Sequence, residues 1–326
     1  MREQQAALPP LAATPGNRAV QRQQHGGQHD IQIAAGQRRR LRARGPGRRQ
    51  QGIGQLFRHR YTVRRQESPV TVHITTIGRY TALEALRTRV PATTLLTLVL
   101  LLGASLFVRE LAVTESTRFQ AGFYAAAARL CAVFIAGLYV LASITREFND
   151  KGLEVLLALD LPRSHYICGK LAGFVLTAAG IAVLLSLPLW LLAPAPAVLL
   201  WTASLAIELA VVVALALFCI VTFSQLLPAA GFVAAFYLLA RSITAMRLMS
   251  ANPVAGQETL SHAVTSVLVD GLAFLLPALD TWTRTSWLVD ASPADAAVLL
   301  SIAVQGAIYV ILLTAAALFD FYRRSL

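Results

Sequence analysis

The residues that most invite a chemical reading are gathered in "REFNDKGLEVLLALDLPRSHYICGK", Arg146 to Lys170, where 25 residues carry eight charges between two long apolar runs. On a helix advancing 100° per residue, Glu147, Asp150, Lys151 and Glu154 share about one third of the circumference. Phe148, Gly152, Leu153, Val155, Leu156 and Leu157 cover the rest. Glu147 precedes Lys151 by four residues, the favourable order for a helical ion pair worth about 0.2–0.5 kcal/mol. The spacing predicts a short amphipathic helix that ends at Leu161-Pro162, because a residue before proline avoids helical backbone angles. The chain restarts at Ser164 and returns to apolar sequence past Lys170. Its chemistry is that of docking, either onto the membrane surface or onto a second polypeptide.

Two further ionisable residues, Arg129 and Glu208, lie inside apolar runs. A charge at bilayer depth costs on the order of 3 kcal/mol or more, so such groups normally pair or face a polar cavity. An interhelical Arg129–Glu208 pair is therefore expected, as a register lock within the subunit or as part of a substrate path. Cys131, Cys168 and Cys219 fall in or beside three different apolar runs without a CxxC or a nearby histidine, and read as small core residues. His73, His165 and His262 are isolated and read as solvent-facing rather than ligating. Tyr124, Trp190, Trp201, Tyr309 and Tyr322 stand near span ends and read as interface anchors.

The elements that position these residues follow from composition. Hydrophobic residues are 56% of the 326 and charged residues 14%, which is outside the range of a soluble domain of this size. A spanning helix needs about 20 largely apolar residues. Six stretches qualify: about 90 to 108, 122 to 144, 166 to 192, 198 to 222, 226 to 246 and 297 to 319. A weakly amphipathic helix, Ile77 to Thr88, precedes the first, with Arg79, Arg87 and Arg89 at headgroup level. Ala263 to Leu279 is short and carries Asp270 at its centre, which predicts an external interfacial or re-entrant segment. An even number of spans returns Arg323 and Arg324 to the side of Arg79, Arg87 and Arg89, so the positive-inside rule predicts both termini in the cytoplasm and Arg146 to Lys170 on the cytoplasmic face.

The net charge of +12 suggests nucleic acid until it is divided along the chain. Residues 1 to 70 hold 14 Arg against 3 acids, which leaves 15 basic and 14 acidic residues of the totals of 29 and 17 to the remainder. That tract has no hydrophobic periodicity and is expected to be disordered. With 27 Arg against 2 Lys, the chain has the signature of a GC-rich genome, and the tract is read as translated non-coding sequence upstream of a later start. Its alternative is an RNA- or lipid-binding arm; nucleic acid is not expected as a partner of the membrane part.

"REFNDKGLEVLLALDLPRSHYICGKLAGF" resembles the cytoplasmic segment of ABC-2-type transporter permeases, in which an acidic residue, a "KGLE"-like turn, a run of leucines, Pro-Arg and Gly-Lys follow the second membrane helix. The resemblance runs from about Ile74 to Leu326, with "ALEALRTR" before the first span and "FLLPALDTWTRTSWLV" before the last. The chain resembles in particular permeases grouped with copper-enzyme maturation, such as the one accompanying nitrous-oxide reductase. What this implies is an all-α integral membrane permease of residues 71 to 326 in a bacterial inner membrane, paired with a second permease, most simply as a homodimer. The charged island becomes a coupling helix docked on an ABC ATPase subunit. Glu147, Asp150, Lys151, Gly152, Glu154, Leu156, Pro162, Arg163 and Lys170 become contact or hinge positions.

No GxxxxGK[ST] occurs: Ser164 stands where the first glycine before Gly169-Lys170 belongs, and Leu171 where Ser or Thr should follow. ATP and Mg are therefore expected on the partner subunit, with no cofactor or metal on this chain. The sequence also lacks the Met/His/Cys ladder that direct copper passage needs. Membrane enzymes need clustered Asp, Glu or His within or just above the bilayer, and the six stretches carry none. A membrane assembly factor without a transport cycle is the main rival to a permease.

Overall fold

The computed structural model describes residues 70–111, 116–149, 163–251, 260–290 and 296–323. The expected N-terminal tract up to residue 69 and the expected coupling helix over 150–162 lie outside the described residues. Among the described residues every regular element is helical. In chain order these are α1 (Val70–Arg87), α2 (Val90–Leu111), α3 (Ser116–Asn149), α4 (Arg163–Ser186), α5 (Ala195–Phe223), α6 (Leu226–Ala251), α7 (Leu260–Leu275), α8 (Ser286–Val289) and α9 (Ala296–Arg323). Helices α2 to α6 and α9 are each long and apolar enough to cross a membrane. The protein is an all-α, multi-pass membrane protein.

α5 is the centre of the bundle. Its sequence is apolar on all sides, with Glu208 its only charge, so no face favours water. Of the residues in its apolar stretch 72% are buried, against 11% in α2 and in α9, which form the rim. α3, α4, α6 and α9 all pack on it. The packing follows membrane logic, in which small residues set helix contacts and large ones face lipid. Along α3, Ala121, Ala125, Ala128, Ala132 and Ala136 are buried at helical spacing, while Phe119, Phe123, Leu130, Phe134 and Leu138 are exposed on the other side.

α1 extends further toward the N-terminus than the expected Ile77 to Thr88, and its main neighbour is α4. Their crossing is made by glycines. A Cβ added at Gly173 would stand 2.5 Å from Thr81 Cβ and 2.6 Å from the Gly78 carbonyl oxygen; one at Gly169 would stand 2.7 Å from Ile77 Cβ. "GKLAG" is thus a close-packing motif between helices.

The connections on either side of α5 are tight. α4 passes into a 3-10 turn, Leu187–Leu191, at Pro188, and Pro194 caps α5. Ser224 closes α5 in the left-handed conformation (φ 58°), its N–H donating to the Ile220 carbonyl at 3.0 Å, and α6 begins two residues later. The stretch after α6 is not a simple span. Two helical pieces, Val264–Leu275 and Leu279–Val289, are bent by 62° at a break that contains Pro277.

Two of the expected interface anchors are core residues instead. Tyr124 is fully buried and donates to the Leu185 carbonyl at 2.8 Å, filling one of the acceptors left open in the last turn of α4. Trp201 is also fully buried, where α5 enters the bundle. Trp190 and Tyr322 are exposed, as an anchor requires. Cys219 is buried and Cys131 and Cys168 half-buried, all as free thiols.

Candidate functional site

Two polar networks interrupt the apolar bundle, about 27 Å apart along α3 if the 18 residues from Arg129 to Glu147 rise at 1.5 Å each. The first is a joint between α3 and α4, at the two ends that flank the charged island. Glu147, in the last turn of α3, accepts from the Lys170 ammonium through one carboxylate oxygen and from the Tyr166 hydroxyl through the other. Lys170 and Tyr166 are four residues apart on α4 and so share one face of it. Glu84 of α1 adds a second carboxylate 3.8 Å from Lys170 Nζ. The ammonium also lies 5.8 Å from the centroid of the Phe174 ring, and the Tyr166 ring stacks on Phe321 of α9 at 6.3 Å. Lys170 is only 6% exposed, so this ion pair is sheltered and not one of the solvated surface pairs that contribute little. One cation thereby ties three helices together, and the neighbouring tyrosine adds a fourth.

The second network surrounds Glu208, which is fully buried at the middle of α5. Its carboxylate accepts from the Tyr237 hydroxyl of α6 at 3.0 Å and from the Thr283 hydroxyl at 2.6 Å, and Arg241 Nη1 of α6 stands 3.9 Å away. Arg241 also donates to the Leu279 carbonyl at 2.7 Å and to the Thr283 carbonyl at 3.4 Å. Arg129 of α3 donates to that same Thr283 carbonyl at 2.7 Å. Thr283 is therefore the hub, with its hydroxyl on the acid and its carbonyl shared by two guanidinium groups. Glu208 does not stand alone as a buried charge, which would carry a penalty of several kcal/mol.

Thr283 belongs to the bent segment between α7 and α9, and the network holds that segment down on the bundle. Its own Leu276, Leu279, Trp282, Trp287 and Leu288 are buried. Trp282 Nε1 donates to Gln305 of α9 at 3.1 Å, beside Gly306, where an added Cβ would stand 2.4 Å from Ile207 Cγ2. Thr244 donates to Asp280 at 3.0 Å, and Arg247 lies 3.4 Å from Asp270. The expected mid-helix charge of α7 is thus paired at the surface with the end of α6.

Measured against expectation, Arg129 and Glu208 share a network but form no direct ion pair; both reach Thr283, and the cation nearest Glu208 is Arg241. Arg241 was hidden at the end of the fifth apolar run, in "LLARSI", where an arginine passes for a flanking charge. Glu147 and Lys170 meet each other, although the resemblance assigned them to a partner or a hinge. Arg163 is the first residue of α4. Asp150, Lys151, Gly152, Glu154, Leu156 and Pro162 lie outside the described residues. His165 is half-buried; His73 and His262 lie where side chains are not described. No group of three or more His, Cys, Asp or Glu stands together among the described residues. No protein-family model matches the chain, and no curated protein is significantly similar to it.

Proposed function

We propose that the chain is the membrane-spanning permease subunit of an ATP-driven transporter of the ABC-2 type, which takes its driving force from a separate ATPase subunit. In this reading residues 150–162 form a cytoplasmic coupling helix, α1 is an interfacial helix, and the bent segment after α6 is an external cap. Both termini are cytoplasmic, and two permease chains together enclose the path.

The observation that carries the reading is the α3–α4 joint. A push delivered by hydrolysis on another polypeptide moves membrane helices only if the receiving segment is fastened to them. Glu147 and Lys170 stand at the two flanks of the island and are tied to each other, so displacement of the island bears on α3 and α4 together. Through Glu84 and Phe321 the same joint reaches α1 and α9. A solvated loop on two independent helices would absorb the motion. The absence of a phosphate-binding loop from the sequence agrees with the division of labour.

The test is affinity purification of the full chain from its native host. A co-purifying Walker-motif ATPase, lost on Leu156→Asp while the chain itself stays folded, supports the reading. An intact chain that brings down no such protein rejects it and leaves the assembly-factor alternative. Impermeant labelling of Asp150→Cys checks the topology independently; reaction from the outer side overturns the proposal.

A further inference from the structure

Where α1 turns into α2, two recesses meet, one apolar and one with an apolar floor of Ile135, Leu138 and Ala142 and arginines at its border. One is an apolar cavity of about 190 Å³, walled by Ala85 and Leu86 of α1, Val90 of α2, and Leu176, Gly180 and Leu184 of α4. The other is a recess of about 590 Å³ bordered by Arg87, Arg89 and Arg146. Val90 lines both.

The three arginines are exposed, and among the described residues none of them forms an ion pair. Their level is set by the apolar runs: Arg87 and Arg89 immediately precede α2, and Arg146 follows the last apolar turn of α3. That is where lipid headgroups lie. From there Leu176 to Leu184 carries the cavity about 12 Å along α4 into the apolar zone. At Gly180 an added Cβ would find nothing within 4 Å, so the wall is hollow where an acyl chain would pass.

We propose that the α1–α2 elbow binds one anionic phospholipid, its phosphate among Arg87, Arg89 and Arg146 and an acyl chain along Leu176 and Gly180. The charge and the shape select the ligand. Three guanidinium groups with no ion-pair partner among the described residues favour a net negative headgroup over a zwitterionic one, which brings its own cation to the site. A free phosphate would occupy the recess and leave the apolar cavity unused. The inference needs only that the chain lies in a membrane and is independent of the transport reading.

Native mass spectrometry of the full chain released from nanodiscs of mixed phosphatidylglycerol and phosphatidylcholine tests it. At roughly fivefold per basic residue near an anionic surface, preference for one retained phosphatidylglycerol of up to the order of 100-fold is expected. Arg87→Gln, Arg89→Gln and Arg146→Gln together should abolish the preference, and lysines at the three positions should keep most of it. Gly180→Leu should lower retention about tenfold with the arginines intact, since each excluded methylene counts several-fold. Equal retention of the two lipids by the unaltered chain, a preference that survives the triple Gln change, or displacement of the lipid by inorganic phosphate alone would each overturn the proposal.

Discussion

At the scale of single residues the Glu208 network makes a ranking that a direct Arg129–Glu208 pair would not. Arg241 is the cation beside the carboxylate, whereas Arg129 bonds the Thr283 carbonyl and Tyr237 and stands further from Glu208. In double-mutant cycles with Leu replacements, Arg241 and Glu208 should couple more strongly than Arg129 and Glu208, with interaction energies within the roughly 0.5–3 kcal/mol seen for residues in one network. Thermal unfolding in a fixed detergent supplies the numbers, and equal couplings would restore the simple pair. Glu208→Leu with Arg241 retained strands a largely buried cation and should cost about 3–5 kcal/mol. Thr283→Val keeps the shape and removes only the hydroxyl, so its cost should be about 1–3 kcal/mol, the desolvation of one unmet acceptor site. A cost near zero would show that Thr283 is a bystander.

At the scale of elements, the α1–α4 crossing is set by glycine. At Gly173 both nearest obstacles are stiff, one a β-branched side chain close to its own backbone and the other a carbonyl oxygen. Gly173→Val should therefore force the two helices apart, at about 1–3 kcal/mol, while Gly180→Ala at an open position should cost little. Thermal unfolding of the two variants checks this, and equal behaviour would remove glycine packing as the cause. The six spans were legible in the sequence because a run of about 20 apolar residues has few other uses, and their positions agree to within a few residues at most ends. The crossing was less so: Gly169-Lys170 drew notice as a failed phosphate loop and as the end of the charged island but not as a helix contact, since nothing in one sequence says which helix a glycine faces. The same holds for the Glu208 network. Thr283 lies 75 residues from Glu208 and 154 from Arg129, separations at which no periodicity survives. Tyr124 and Trp201 misled for a related reason: an aromatic near a span end suits a headgroup or a helix terminus equally well, and packing alone decides.

At the scale of the molecule, two helices link the networks: α3 carries Glu147 of one and Arg129 of the other, and α5, on which α3 and α4 pack, carries Glu208. The α3–α4 joint holds two helices that both pack on α5, and α5 carries Glu208, which holds the segment around Thr283. On the proposed permease reading, a displacement of the segment between α3 and α4 moves both helices as one unit when Glu147 and Lys170 hold them together. Lys170→Met preserves the side chain's length and apolar stem but leaves Glu147 with Tyr166 as its one remaining partner in the joint. If the proposed permease function holds, this variant should still co-purify with the ATPase subunit that the proposal requires, because residues 150–162 are unaltered. What it should lose is transmission. Spin labels at Phe119→Cys, in the first turn of α3, and Leu191→Cys, at the end of the 3-10 turn after α4, occupy exposed sites and report the distance between them after Cys131, Cys168 and Cys219 are replaced by Ala. The proposed function predicts that with Lys170 present that distance differs between the nucleotide-free and ATP-bound complexes, and that in Lys170→Met the difference shrinks by at least half. An unchanged nucleotide response in Lys170→Met would mean that the joint fastens the fold without carrying force.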